Sequence, residues 1–196
     1  LDGLKIDKTL QKNLAENFLN LGSQYQLLKK NDSAIFYYKK LVELNFLDDQ
    51  VLNLQAISYS NLAGIYQKDT TMLNHYEKAI EFAERAIEVH KKRNNFISQA
   101  GAINNLASVY LFQGNFEKSK KTYLKGLKLI ERDTLTRAIR VKVTLYNNLS
   151  WAMRQLKEYK AYDYQETAYN MKNGLRDTET KEMLERVTGE YNVDVV

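Results

Sequence analysis

The sequence predicts an all-α chain built as a solenoid of four helix pairs closed by a C-terminal helix, and three observations carry that prediction. The chain has 196 residues with no proline and only eight glycines. Sheet proteins of this size draw on both residues for their turns, whereas long helices joined by short polar turns need neither. Second, the phrase Leu-small-x-x-aromatic recurs as Leu21-Gly22-x-x-Tyr25, Leu62-Ala63-x-x-Tyr66 and Leu106-Ala107-x-x-Tyr110. A fourth copy, Leu149-Ser150-x-x-Met153, lacks the aromatic, and the four leucines are 41, 44 and 43 residues apart. Third, a small residue follows each phrase, at Ala34, Ala79, Ser119 and Ala161, 12 to 17 residues after its leucine. Small residues answering one another let two helices approach closely, and stacking such pairs buries a face that one pair leaves open.

The elements follow in order. Paired helices are expected at about 8–29 and 32–46, 49–68 and 72–92, 95–113 and 116–131, and 135–156 and 159–173. This sets repeats at about 8–47, 48–93, 94–132 and 134–173. Asn31-Asp32, Asp48-Asp49 and Asn115 are expected caps, since a short side-chain oxygen accepts from the free N–H groups of a first turn. The second repeat carries an enlarged turn around Lys68 to Leu73. A separate capping helix is expected over about 177–191, opening after Asp177 and amphipathic through Met183, Leu184, Val187 and Tyr191.

Composition excludes several kinds of chemistry. Without cysteine there is no disulfide, thiolate metal site or cysteine nucleophile. No apolar run approaches the ~20 residues of a membrane span. The two histidines, His75 and His90, sit 15 residues apart on one expected helix. That is about 22 Å of helix, too far to share a metal, and a structural or solvent-facing role is expected. Neither a Gly-rich phosphate loop nor H-E-x-x-H occurs, so no cofactor, no metal and no enzymatic activity are expected. The chain begins at Leu1 rather than methionine, as expected of a piece of a longer protein.

The repeated phrase resembles the tetratricopeptide repeat family, whose signature is L-G-x-x-Y followed by a small residue and an aromatic. Leu21, Gly22, Tyr25, Ala34 and Tyr38 match it best, with Asn104 to Leu127 nearly as good, and the resemblance covers about residues 7 to 170. The units are longer than the family's usual ~34 residues, and its terminal proline is missing. The resemblance implies a right-handed superhelix whose concave groove binds a protein or peptide. The long units, the phrase Tyr146-Asn147-Asn148-Leu149-Ser150-Trp151 and the charged ending Glu179 to Tyr191 resemble the repeat regions of bacterial sensor kinases and regulators. A signalling input module in a bacterial cytoplasm or periplasm is implied, with any membrane contact left to a flanking segment.

The resemblance also places one residue type on the groove. Asn20, Asn61, Asn105 and Asn148 each stand immediately before a signature leucine, on the first helix of a pair. Asparagine is a mediocre helix former, so its recurrence mid-helix needs a reason. A carboxamide both donates and accepts, and a row of them can hold the backbone of an extended segment; the other reading is local bonding or exposure to water. Asn104, Asn147, Ser23, Ser108, Trp151 and Arg154 are expected near the same surface. Trp151 either anchors a partner side chain or closes the end of the array. The family's clamp for a C-terminal carboxylate is not reproduced, because Leu19 and Ser60 stand where cations are needed.

Charge is regional. The net charge is +5, and residues 115 to 142 hold nine Lys/Arg against three Asp/Glu. Lys118, Lys121, Lys125, Lys128 and Arg132 fall on one helical face and could attract nucleic acid or an acidic protein. The favoured reading is a solvated convex face complemented by a neighbouring acidic stripe, Glu77, Glu81, Glu84 and Glu88, so nucleic acid is not expected as the partner. The expected function is recognition of an extended peptide or protein segment; the alternative is a scaffold that assembles a complex through its convex face or its ends.

Overall fold

A computed structural model describes residues 7–45 and 48–191, with side chains as far as Thr188. Among these residues the chain forms eight α-helices and no strand. They are α1 (Lys8–Leu27), α2 (Asn31–Val42), α3 (Asp49–Lys68), α4 (His75–Lys92), α5 (Phe96–Phe112), α6 (Phe116–Leu129), α7 (Thr136–Gln155) and α8 (Ala161–Tyr191). The expected end of the second helix at Phe46 and of the first repeat at Leu47 lie outside the described residues.

Each odd-numbered helix packs on the even-numbered helix that follows it, and the small residues mediate the approach. Gly22, Ala63, Ala107 and Ser150 are buried on the first helices; Ala34, Ala79, Ser119 and Ala161 are fully buried on the second. Gly22 has no room for even a methyl group, since a Cβ there would lie 2.5 Å from the Tyr38 ring. The Tyr38 hydroxyl then donates to Gln26 Oε1 at 2.7 Å and lies 3.3 Å from the Ser23 hydroxyl. The third pair repeats the arrangement, with the Tyr123 and Ser108 hydroxyls 2.9 Å apart. Burial pushes the Tyr123 phenol up to about 12. Ser23 and Ser108, expected near the groove, are thereby turned toward the second helix of their own pair.

Three of the four intra-pair turns close in one way. Lys29, Gly114 and Lys157 take left-handed φ values of 57°, 77° and 57°. The N–H of the next residue reaches back to the carbonyl of Tyr25, Tyr110 or Met153, at 2.9, 2.9 and 3.0 Å. The signature aromatic position is therefore also the acceptor that ends the first helix. In the second pair the longer turn removes this bond, and His75 Nδ1 stands 3.1 Å from the Tyr66 carbonyl instead. A carbonyl only accepts, so Nδ1 carries the hydrogen. His75 thus restores the lost bond.

Asp48 caps α3 through Gln50 N–H at 2.9 Å, and Asn115 caps α6 through Lys118 N–H at 3.3 Å. The expected cap at Asn31-Asp32 is displaced: the turn bond from Lys30 to Tyr25 already sets the chain direction, so Lys30 is the N-cap and Asn31 is helical. The separate helix expected over 177–191 is also corrected, because α8 runs uninterrupted from Ala161 to Tyr191. A helical glycine such as Gly174 costs only about 1 kcal/mol. Across the expected break, Thr178 Oγ1 donates to the Gly174 carbonyl at 2.9 Å and Thr180 Oγ1 to Arg176 at 2.8 Å. Met183, Leu184 and Val187 on this extension are exposed, and the Tyr191 side chain lies outside the described residues.

Successive first helices touch directly, α1 to α3, α3 to α5 and α5 to α7, whereas α2, α4, α6 and α8 do not touch one another. The layer of first helices is therefore the tighter, inner one, and the stack curves around it.

Candidate functional site

The inner layer opens into a groove of about 440 Å³ between α5 and α7, with Ser60 of α3 at its edge. Ile97, Gly101 and Val141 contribute apolar floor, and Asn104, Asn105, Arg137, Arg140 and Thr144 contribute polar groups. The space beside Gly101 is open, since a Cβ there would meet nothing within 4 Å.

The expected ladder separates into different environments. Asn104 and Asn105 line the groove and are half-buried. Asn148 on α7 donates its Nδ2 to Asn104 Oδ1 at 2.9 Å, so one carboxamide orients another across the repeat boundary. Among the described residues, no hydrogen bond takes up the Asn104 Nδ2 hydrogens or the Asn148 Oδ1. No hydrogen bond engages the Asn105 side chain among the described residues. Asn61 on α3 faces the Tyr38 hydroxyl of the preceding pair. Asn20 and Asn147 are exposed, on α1 and α7. Trp151 is 43% exposed on α7, its ring centroid 6.3 Å from that of Phe112. Arg154 is not in the groove; it lines a separate hollow at the α7–α8 turn with Lys157, Glu158, Tyr159 and Tyr162.

Arg137 and Arg140 also line the groove, although in the sequence they stand out only as part of the basic region. Arg137 Nη2 donates to Ser98 at 2.8 Å, and Arg140 pairs with Glu179 of α8. The available signal was helical spacing, because Arg137, Arg140, Thr144 and Asn148 recur at three and four residues on one face of α7. Lys142, from the same basic region, is buried, and its Nζ donates to the Glu131 and Asp133 carbonyls at 2.7 Å each. His90 is buried with Nδ1 unpartnered. Desolvation, helped by the Arg93 and Arg137 charges, lowers its pKa to about 4.

The two charged stripes do not complement each other, since α4 and α6 are not neighbours. Glu81 and Glu88 pair along their own helix with Arg85 and Lys92, at 2.7 Å each. Among the described residues no cluster of three or more His, Asp or Glu could hold a metal ion, and no helix is long and apolar enough to cross a membrane.

Comparison with known proteins agrees with the repeat fold. A tetratricopeptide repeat family model matches residues 15–46 and 100–133, the first and third pairs, which carry the Tyr38–Ser23 and Tyr123–Ser108 bonds. Among solved structures, the apo form of RapI superposes with a TM-score of 0.71 at 16% identity, covering 97% of this chain. This chain spans 66% of the RapI chain, just short of two thirds. BtubC from P. vanneervenii gives a TM-score of 0.53 at 18% identity, covering 87% of this chain and 84% of its own. At such identities the likeness is one of fold. No curated protein matches the sequence. The chain is an all-α, tetratricopeptide-like solenoid, an architecture generally associated with binding proteins and peptides.

Proposed function

We propose that this protein binds an extended peptide or protein segment in the groove between α3, α5 and α7. The observation that carries the reading is the open groove at Gly101, bordered by Asn105, whose carboxamide has no partner among the described residues, and by the oriented Asn104–Asn148 pair. A peptide group offers one N–H and one C=O, which these carboxamides match, so the backbone is held with little regard to side chains. The same resemblance that implies a bacterial signalling protein makes a sensory or interaction module the setting for this binding. A second reading rests on a different surface: Met183, Leu184 and Val187, exposed on the α8 extension, suit assembly through the end of the array.

The test is to select binders from a random peptide library displayed on phage and to measure their affinity for variants. Asn105→Ala should weaken binding roughly tenfold at most, as one hydrogen bond is worth on the order of 1 kcal/mol net. The triple alanine variant at Asn104, Asn105 and Asn148 should abolish it. Selected peptides that bind this triple variant as well as the parent would remove the support for a carboxamide groove.

A further inference from the structure

The groove and the surface beyond it differ chemically. Along one face of α7, Arg137 and Arg140 line the groove, and Trp151 stands further along the helix, outside that lining, against Phe112 of α5. Arg137 and Trp151 are 14 residues apart. That spacing corresponds to about 21 Å of helix, which roughly six residues of extended chain would span. The aromatic end is open, with Trp151 43% and Phe112 55% exposed.

The cationic end is occupied from within. Among the described residues the hydrogen bond of Arg137 is to the neutral Ser98 hydroxyl, while Arg140 holds the Glu179 carboxylate, contributed by α8 from 39 residues away. Glu179 is the one carboxylate paired with either arginine among the described residues. Both partners of that pair are exposed, at 61% and 48% of the side chain. An exposed ion pair is weak and readily exchanged, whereas a carboxylate lying in the groove can reach both guanidinium groups in charge-assisted bonds.

Resting on the groove reading above, we propose that the bound segment carries a carboxylate at the Arg137–Arg140 end and a large apolar side chain about six residues away at Trp151, and that the carboxylate replaces Glu179 on Arg140. Glu179 is then a built-in competitor. The α8 extension reports on the groove, because a ligand frees it from α7.

The probes are fluorescein-labelled octapeptides on a Ser/Thr backbone, with Glu and Leu six residues apart, made in both chain directions and measured by fluorescence anisotropy. In one direction the Glu peptide should bind roughly tenfold more tightly than its Gln counterpart. Glu179→Gln should tighten the Glu peptide by about threefold. Arg137→Gln combined with Arg140→Gln should erase the Glu/Gln difference, and Leu→Ser in the peptide should weaken binding to the parent and not to Trp151→Ala. Equal affinity for Glu and Gln peptides, or an unchanged affinity in Glu179→Gln, overturns the inference, as does failure of every peptide to bind. Gly101→Trp separates this inference from the reading beneath it. If that variant blocks binding while Glu and Gln peptides stay equal, only the acidic preference falls. If it leaves every peptide's binding unchanged, the groove is not the site.

Discussion

Asn148 of α7 donates to Asn104 of α5 across 2.9 Å, although the two residues are 44 positions apart in the chain. The bond crosses a repeat boundary, so it both ties two pairs together and fixes how two groove carboxamides point.

This divides the asparagines by experiment. Asn148→Ala and Asn105→Ala each gain the same helix propensity, but only the first breaks a bond within the chain. Asn148→Ala should therefore be less stable than Asn105→Ala by about 1 kcal/mol in chemical denaturation. Equal stabilities would show that the Asn104–Asn148 bond does not hold in solution.

Glycine substitutions should move stability in opposite directions. At Gly22 a Cβ would sit 2.5 Å from the fully buried Tyr38 ring. Gly22→Ala should thus cost about 1–3 kcal/mol through overpacking. At Gly64 and Gly101 a Cβ meets open space. Alanine there should stabilise by about 0.5–1 kcal/mol, since only backbone entropy changes. Thermal melts of the three variants decide the matter, and destabilisation by Gly101→Ala would mean that the groove is closed.

His75→Phe keeps a ring against Tyr76 but removes the donor to the Tyr66 carbonyl. The expected loss is about 1 kcal/mol, together with faster amide exchange at the end of α3. A variant as stable as the parent would show that the enlarged turn does not depend on this bond.

His90 makes stability pH-dependent in a defined window. Its native pKa lies at about 4, below the ordinary 6.5. Between these values the unfolded chain binds a proton that the folded chain refuses, so stability falls as pH falls from 6.5 toward 4. The full effect is on the order of 3 kcal/mol for this buried group. His90→Leu should flatten the slope between pH 7 and about 4.5 relative to the parent; equal slopes in the two proteins would contradict the burial of a neutral imidazole.

Much of the fold was legible because it depends on local rules. The small residues at 22, 63, 107 and 150 and their answers at 34, 79, 119 and 161 mark where helices meet, and all are buried. Asp48 and Asn115 cap as their chemistry requires. What escaped depends on neighbours distant in sequence or on conformations that composition does not advertise. Lys29 and Lys157 take left-handed φ values with no glycine to announce them, and this moved the α2 cap to Lys30. Leu21 shares the spacing of Leu62 and Leu149 yet is 41% exposed, because no preceding pair packs on it among the described residues. The groove was legible as far as Asn104 and Asn105. Its cations were hidden within a basic region that also contains the buried Lys142, and the Asn104–Asn148 pairing becomes visible only once two repeats are stacked.

The most direct test of groove recognition is amide chemical-shift mapping of the ¹⁵N-labelled protein, titrated with the tightest peptide selected from the library. Perturbations should concentrate at Ser60, Gly101, Asn104, Asn105 and Thr144, the residues that border the groove on α3, α5 and α7. Perturbations confined to the outer face of α6, or to the α8 extension around Met183 to Val187, would contradict the account and leave the groove unused.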